Sequence, residues 1–302
     1  MNPTVQLLQF LLLTNFPSGS SINYYQNKLY ILGDDARTAL VLDRNYHPVD
    51  SVLLFDHPQK RIPKPEKVDL ESSVLVTIMN HKYLLVLGSG STEARKKILL
   101  IPLTPEGLID HGKPPVQNGV QVFYERLAKS GITDVNIEGA FMMDQKMILA
   151  NRGSKSFPDN FLIVTDNNFW THPNEVNFRK VSIEQPTGKK EYLGISELCY
   201  VESKDLLLFL FTTEATGNSY DDGAIGSSYI GWLNNFSTKM LLPTLSLDGI
   251  TNLSDVSNQF NHQKIEGLCL ESSDDHGLLL HLISDNDNGQ STLFKILLKF
   301  KD

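Results

Sequence analysis

Three glutamates share one context in this sequence. Glu71, Glu138 and Glu266 each stand at the head of a short apolar run, in "DLESSVLVT" (69–77), "NIEGAFMM" (136–143) and "KIEGLCLE" (264–271). Glu197 falls one place later in "GISELCYVE" (194–202), where Ser196 takes the shared position, as Ser20 does in "GSSINYY" (19–25). A second polar set closes the apolar run that follows each of these: Asp34 and Asp35 in "GDD", Ser89 and Ser91 in "GSGS", Arg152 in "NRG", Glu214 in "TTE", and Asp285 and Asp287 in "SDND". Carboxylates gathered from separate segments suit a hard cation such as Ca²⁺, which favours cages of several oxygen ligands. A divalent ion held there would polarise an ester or phosphoester and acidify a bound water, with a neighbouring carboxylate as base. The metal ligands expected are Glu71, Glu138, Glu197, Glu266, Asp35 and Asp285. The catalytic residues expected are Glu138 and Glu266, with Arg152 or Arg95 stabilising developing negative charge. Arg95, Ser89, Ser91, Glu214, Asp222 and Lys264 are the expected contacts to a small-molecule ligand.

Crowded carboxylates repel, and burial raises their pKa values further. A bound cation, interleaved Arg and Lys, or plain solvation would each relieve this. Lys67, Arg95, Arg152 and Lys264 lie close enough in sequence to pair with the acids or to grip an anionic ligand group. Asx-type capping of turns accounts for "GDD" and "SDND" equally well. It accounts poorly for a glutamate repeated three times at the head of an apolar run. The loop "TTEATGNSYDDGAIGSS" (212–228) reads as a lid, a ligand loop or a solvated hairpin.

Other chemistries are excluded. "LGSGSTEARKK" (87–97) lacks the Gly-Lys-Ser/Thr ending of a phosphate loop, and no HExxH, Cys/His zinc spacing or G-x-S-x-G elbow occurs. Cys199 and Cys269 share an offset in their repeats and read as small core residues.

The elements that position these residues repeat five times. Each copy is a strand, a short polar turn, a second strand, a loop and a third strand, with runs rich in Ile, Leu, Val, Tyr and Phe. Copies begin near Gly19, Leu70, Ile137, Ile195 and Ile265, a long period of the kind found in propellers. The last copy has three strands, and "TVQLLQFLLL" near the N-terminus supplies a fourth. An all-β propeller follows, with 1–302 as one domain and the ring closed by pairing of the terminal strands. Five blades are expected, or six if the 103–130 insertion hides a degenerate one. Helical spacing of Val120, Phe123 and Leu127 predicts a helix over 118–131. First strands line a propeller's channel, and the start of one strand adjoins the end of its antiparallel neighbour, so both polar sets should meet at one mouth.

The bulk numbers are those of a globular protein: 302 residues, 41% hydrophobic, 21% charged and a net charge of −8. The absence of a Lys/Arg block argues against nucleic acid, and the acidic balance suits a cationic ligand. The N-terminal apolar run lacks a basic flank and a cleavage site and is too short to span a membrane. A cytoplasmic monomer that binds neither membrane nor nucleic acid is expected, or a periplasmic or secreted one if a leader was removed.

With "NIEGA" (136–140), "GISELCY" (194–200), "KIEGLCLE" (264–271), "LGDD" (32–35) and "SDND" (284–287) in register, the chain resembles the esterase-like-activity-of-phytase group of β-propellers and its bacterial relatives. The resemblance implies a propeller with an acidic funnel and a calcium-dependent esterase-like or phosphoesterase-like hydrolase. Ser20 and Ser196 depart from its glutamate pattern, and a phytase's basic phosphate-gripping cluster is not evident. A ligand-binding propeller without chemistry, for a sugar, a peptide or a small cationic molecule, is the alternative.

Overall fold

A computed structural model describes residues 3–154, 156–186, 191–214, 225–286 and 288–300. Tight turns fold the apolar runs back on themselves. Gln26 and Asn27 both have positive φ, as do Met79 and Asn80, the geometry of two-residue turns whose twist matches that of the strands they join. Five antiparallel sheets result, each one blade. Blade 1 comprises Gly19–Tyr25, Lys28–Gly33, Thr38–Asp43 and Pro48–Leu53. Blade 2 comprises Leu70–Ile78, His81–Gly88, Lys97–Pro102 and Val116–Gly119. Blade 3 runs through Ile137–Met143, Lys146–Asn151, Asn160–Asp166 and Phe178–Ile183, with Thr244–Leu245 added in parallel at its edge. Blade 4 holds Gly194–Val201, Leu206–Glu214, Ile225–Asn234 and Gly249–Asn252. Blade 5 holds Lys264–Asp274, Gly277–Asp285 and Ser291–Lys299, and Thr4–Leu13 pairs with the last of these from Thr4↔Lys299 to Leu13↔Ser291. The five-bladed propeller and its closure by the terminal strands agree with the sequence.

The 103–130 insertion forms no sixth blade. It supplies the outer strand of blade 2 and a helix over Gln121–Lys129, shorter than expected because Val116–Gly119 pairs with the third strand as a β-ladder. Phe123, Tyr124 and Leu127 are buried between blades 2 and 3, with the Phe123 ring tilted against Phe169 at 4.7 Å between centroids. No helix among the described residues is long and apolar enough to cross a membrane.

Apolar side chains pack between blades rather than within them. One cluster joins blades 1 and 2, others join 2 to 3, 3 to 4 and 4 to 5, and the last joins 5 to 1. Burial on both faces is why the second and third strands read as unbroken apolar runs. Polar staples add direction to this packing. At the head of the third strand in blade 5, Ser291 Oγ accepts from Gly19 N (2.8 Å) and donates to Phe16 O (3.0 Å). Ser228 does the same for Ile265 N (3.0 Å) and Gln263 O (2.7 Å). Asn160 serves Ile195 N (3.2 Å) and Leu193 O (2.6 Å).

Blades 5 and 1 share a further buried network. His281 Nδ1 accepts from the Tyr46 hydroxyl (2.9 Å), and its Nε2 faces Glu271 (2.8 Å), which also pairs with Lys295 (2.8 Å) and Arg44 (3.7 Å). Burial outweighs the pull of Glu271 and lowers the His281 pKa to about 4.

Candidate functional site

Every inner strand carries one extra residue at the same place. The ladder to the second strand skips between Gly19/Ser21, Leu70/Ser72, Ile137/Gly139, Ile195/Glu197 and Ile265/Gly267. The five bulged residues are Ser20, Glu71, Glu138, Ser196 and Glu266, the position that the repeat alignment singles out. A bulge re-aims its side chain out of the alternating pattern of the strand. The serines turn sideways: Ser20 Oγ donates to Leu70 O and Ser196 Oγ to Ile265 O (2.9 Å), each fixing the inner strand of a neighbouring blade. An ionised carboxylate has no proton to donate to a carbonyl, so the glutamates at the other three copies do not make that bond and lie among the rim acids instead.

Glu197 is not part of that ring. It is 2% exposed, accepts from Leu198 N (2.8 Å) and from Ala140 N, and clasps blade 4 to blade 3. Gly139 is what lets the two strands meet, since a Cβ there would lie 2.8 Å from both Glu197 Oε1 and Leu198 N. Burial raises the Glu197 pKa well above the usual range.

At the mouth, acids alternate with bases. Asp69 receives Lys67 Nζ (2.8 Å) and Arg95 Nη1 (2.6 Å), and Lys67 also pairs with Asp34. Arg95 reaches Ser91 Oγ (3.1 Å), which lies 3.0 Å from Ser89 Oγ. Glu138 accepts from Asn136 Nδ2 (2.6 Å) and lies 3.9 Å from Arg152. Glu266 pairs with Lys264 (2.8 Å), and Lys264 stands opposite Asp285 in the ladder. Asp35 pairs with Arg61 (2.7 Å). Among the described residues, interleaved Lys and Arg are therefore what relieves most of the crowding.

Glu71 is the exception. No basic side chain among the described residues makes an ion pair with it. Burial and then Asp69, Glu138, Asp34 and Glu266 raise its pKa well above the usual carboxylate range. Burial and nearby acids likewise raise Glu266, against the pull of Lys264. Oxygens of Asp34, Asp69 and Glu71 lie within 4.8 Å of one another, a spacing that fits a divalent cation. Of the six expected metal ligands only Glu71 belongs to this group. The Lys67 ammonium already bridges two of the three, so it and a metal ion would compete for the same carboxylates. Although burial works against it, the Lys67 pKa is raised by Asp34, Asp69 and Glu71.

Beside the rim, between blades 1 and 5, opens a cavity of about 310 Å³ whose lining includes Asp34, Asp35, Arg61, Lys67, Lys264 and Asp285. A smaller one of about 180 Å³ lies further along the inner strands and includes Tyr24, Phe141, Tyr200, Cys199 and Cys269. Burial pushes the Cys199 thiol up to about 12, and Cys269 rises for the same reason. Both cysteines are free and buried, in keeping with a packing role. Asp222 and Asp287 lie outside the described residues, as does the side chain of Glu214. Asp34, Asp69 and Arg61 were not among the expected site residues. Asp69 could have been found from the repeat, since it and Lys264 both stand two places before the bulged glutamate.

A search of curated proteins finds no match. Among solved structures, glutaminyl cyclase from Myxococcus xanthus superposes with a TM-score of 0.55 at 12% identity, covering 100% of this chain and 99% of that one. The tail fiber of Staphylococcus aureus phage P68 gives a TM-score of 0.50 at 11% identity, over 97% of this chain and 53% of the other. At these identities the likeness is one of fold. These matches support the propeller and do not support membership of the phytase-like group. A family model described as "Family of unknown function (DUF6929)" matches residues 15–298. The chain belongs to that family.

Proposed function

We propose that the channel mouth binds a small cationic ligand, an organic ammonium, and that Glu71 is its principal contact. The observation that carries this reading is the isolation of Glu71. It sits among Asp34, Asp69, Glu138 and Glu266 with a raised pKa, while the neighbouring acids have Lys67, Arg95, Arg152 and Lys264 beside them. A cation entering there would favour the ionised carboxylate and relieve repulsion from several blades at once. Among the described residues the acids of the rim outnumber its bases, and the net charge of −8 would draw cations towards it.

A second reading is favoured by the close approach of Asp34, Asp69 and Glu71 oxygens. In it a divalent ion such as Ca²⁺ displaces the Lys67 ammonium. Such an ion would supply Lewis acidity and an acidified water for ester or phosphoester hydrolysis. Glu138 and Glu266 would then stand ready to exchange a proton, and Arg152 to hold an anionic oxygen.

Thermal unfolding of EDTA-treated protein separates the two. A ligand that binds only the native state raises the melting temperature, by about 2.7 kcal/mol of stability at a hundredfold excess over Kd. Under the first reading 1,4-diaminobutane and similar amines raise the melting temperature of the wild type, Ca²⁺, Mg²⁺ and Mn²⁺ do not, and Glu71→Gln abolishes the response. A response to the metals alone supports the hydrolase. No response to any cation removes both.

A further inference from the structure

The cavity of about 180 Å³ along the inner strands shares no lining residue with the acidic rim, and its chemistry is the reverse. No Lys, Arg or His lines it, and the Glu197 carboxyl there is already turned onto backbone N–H groups. Aromatic rings come from three blades: Tyr24, Phe141 and Tyr200. Phe141 and Tyr200 stack at 5.4 Å between centroids. The two tyrosine hydroxyls are held by Asn27 (3.1 Å) and Asp205 (2.9 Å) at the turns after the inner strands, so ring carbon is what these side chains can present. Cys199 and Cys269 add polarisable sulfur, which packs well beside aromatic rings. One polar group is left to offer. Half-buried Asn23 also lines the cavity, and its Nδ2 donates to Ser73 O (2.7 Å) and Ser73 Oγ (2.8 Å). These two bonds fix the carboxamide, and its Oδ1 accepts from no donor among the described residues.

We propose that this cavity binds a neutral aromatic ligand with one hydrogen-bond donor, a phenol or an indole. Its ring would lie among Tyr24, Phe141 and Tyr200, and its O–H or N–H would donate to Asn23 Oδ1. An ion entering here would lose its hydration without finding an opposite charge. A ring instead gains face and edge contacts with three aromatic side chains. Size fits as well: an apolar cavity of about 150 Å³ holds benzene, so one of about 180 Å³ holds a single substituted ring system. A polar ligand tip is specified by the one fixed acceptor, the pattern of a mostly apolar pocket with a few placed polar groups. The assignment does not depend on what Glu71 holds, so the two stand or fall separately.

The test is saturation-transfer NMR followed by calorimetry on the full chain with 4-methylphenol. Toluene serves as the ring without a donor, and cyclohexanol as the donor without an aromatic ring. 4-Methylphenol binds the wild type about three- to tenfold more tightly than toluene, the usual return of one neutral hydrogen bond, and more tightly than cyclohexanol. Asn23→Leu removes the acceptor and brings 4-methylphenol down to the affinity of toluene. Leu270→Trp, at a half-buried position in the lining, fills the cavity and abolishes binding of both. Where a variant does not fold, alkylation of the wild type decides. Cys199 and Cys269 keep 8% and 6% of their surface, and 4-methylphenol slows their reaction with N-ethylmaleimide, followed site by site by mass spectrometry. Four results overturn the assignment: no ring compound binds the folded wild type, toluene or cyclohexanol binds as tightly as 4-methylphenol, both folded variants bind as the wild type does, or bound 4-methylphenol protects neither thiol.

Discussion

Blades 1 and 4 place serine at the bulge, and blades 2, 3 and 5 place glutamate there. The backbone is the same in all five, with one residue lifted out of the ladder at the head of the inner strand. Hydrogen-bonding capacity decides the outcome. A serine hydroxyl stops at the adjacent blade's carbonyl and becomes a staple. An ionised glutamate has no proton for that carbonyl and lies among the rim acids. One backbone device thus gives cohesion in two blades and a charged site in three, and the two residue types should not be interchangeable.

The largest effect is expected when the exchange runs from serine to glutamate. Ser196 is 1% exposed, so Ser196→Glu buries a carboxylate that lacks a basic partner and leaves the Ile265 carbonyl unsatisfied. A loss of about 3–5 kcal/mol in urea unfolding is expected. Ser196→Ala removes only the staple and should lose roughly 1–2 kcal/mol. Equal losses in the two variants would break the comparison.

Removing a base from the rim comes next. Lys67→Met leaves Asp34 without its ammonium and Asp69 with Arg95 alone, and should destabilise by about 3 kcal/mol at neutral pH. The same variant frees the Asp34, Asp69 and Glu71 oxygens for a metal. Added Mn²⁺ or Ca²⁺ should restore part of the lost melting temperature. A variant that loses stability but ignores every divalent ion would rule out that trio as a latent metal site.

The pH profile separates rim from frame. Neutral His281 holds Tyr46 and Glu271 together, and its pKa of about 4 lies below the ordinary 6.5. Over that interval the unfolded chain binds more protons, so stability falls as pH drops from about 6.5 to 4, by roughly 3 kcal/mol. Glu71 and Glu266 act in the opposite sense. Their pKa values are raised, so the native state holds more protons above the ordinary carboxylate range and stability falls as pH rises through it. Denaturant titrations of His281→Gln and Glu71→Gln should flatten the acid and the alkaline limb respectively.

Much of the frame was legible because it repeats. Five copies of an apolar hairpin, a glutamate or serine at one offset, and an orphan strand at the far end define a closed ring. The bulge itself was not visible, yet its position was, since "IEG" and "ISE" align on it. The pairing of the rim was less legible. Lys67, Arg61 and the Gln59–Lys64 stretch belong to the connection between blades 1 and 2, outside the strands that repeat. Their partners Asp34 and Asp35 follow the second strand of blade 1 and Asp69 precedes the inner strand of blade 2, so the course of that connection sets the pairing rather than a local pattern. Glu197 looked like a rim residue by proximity in sequence, but one place beyond the bulge turns its carboxylate onto backbone N–H groups.

The central claim is that, among the described residues, Glu71 is a rim carboxyl without a basic partner. Side-chain carboxyl NMR of ¹³C-glutamate-labelled protein, with Glu71→Gln to assign the resonance, tests it directly. The account predicts that Glu71 titrates well above the ordinary carboxylate range and that a bound ammonium lowers its pKa. Titration of Glu71 within the ordinary range, unchanged by any cation, would contradict it.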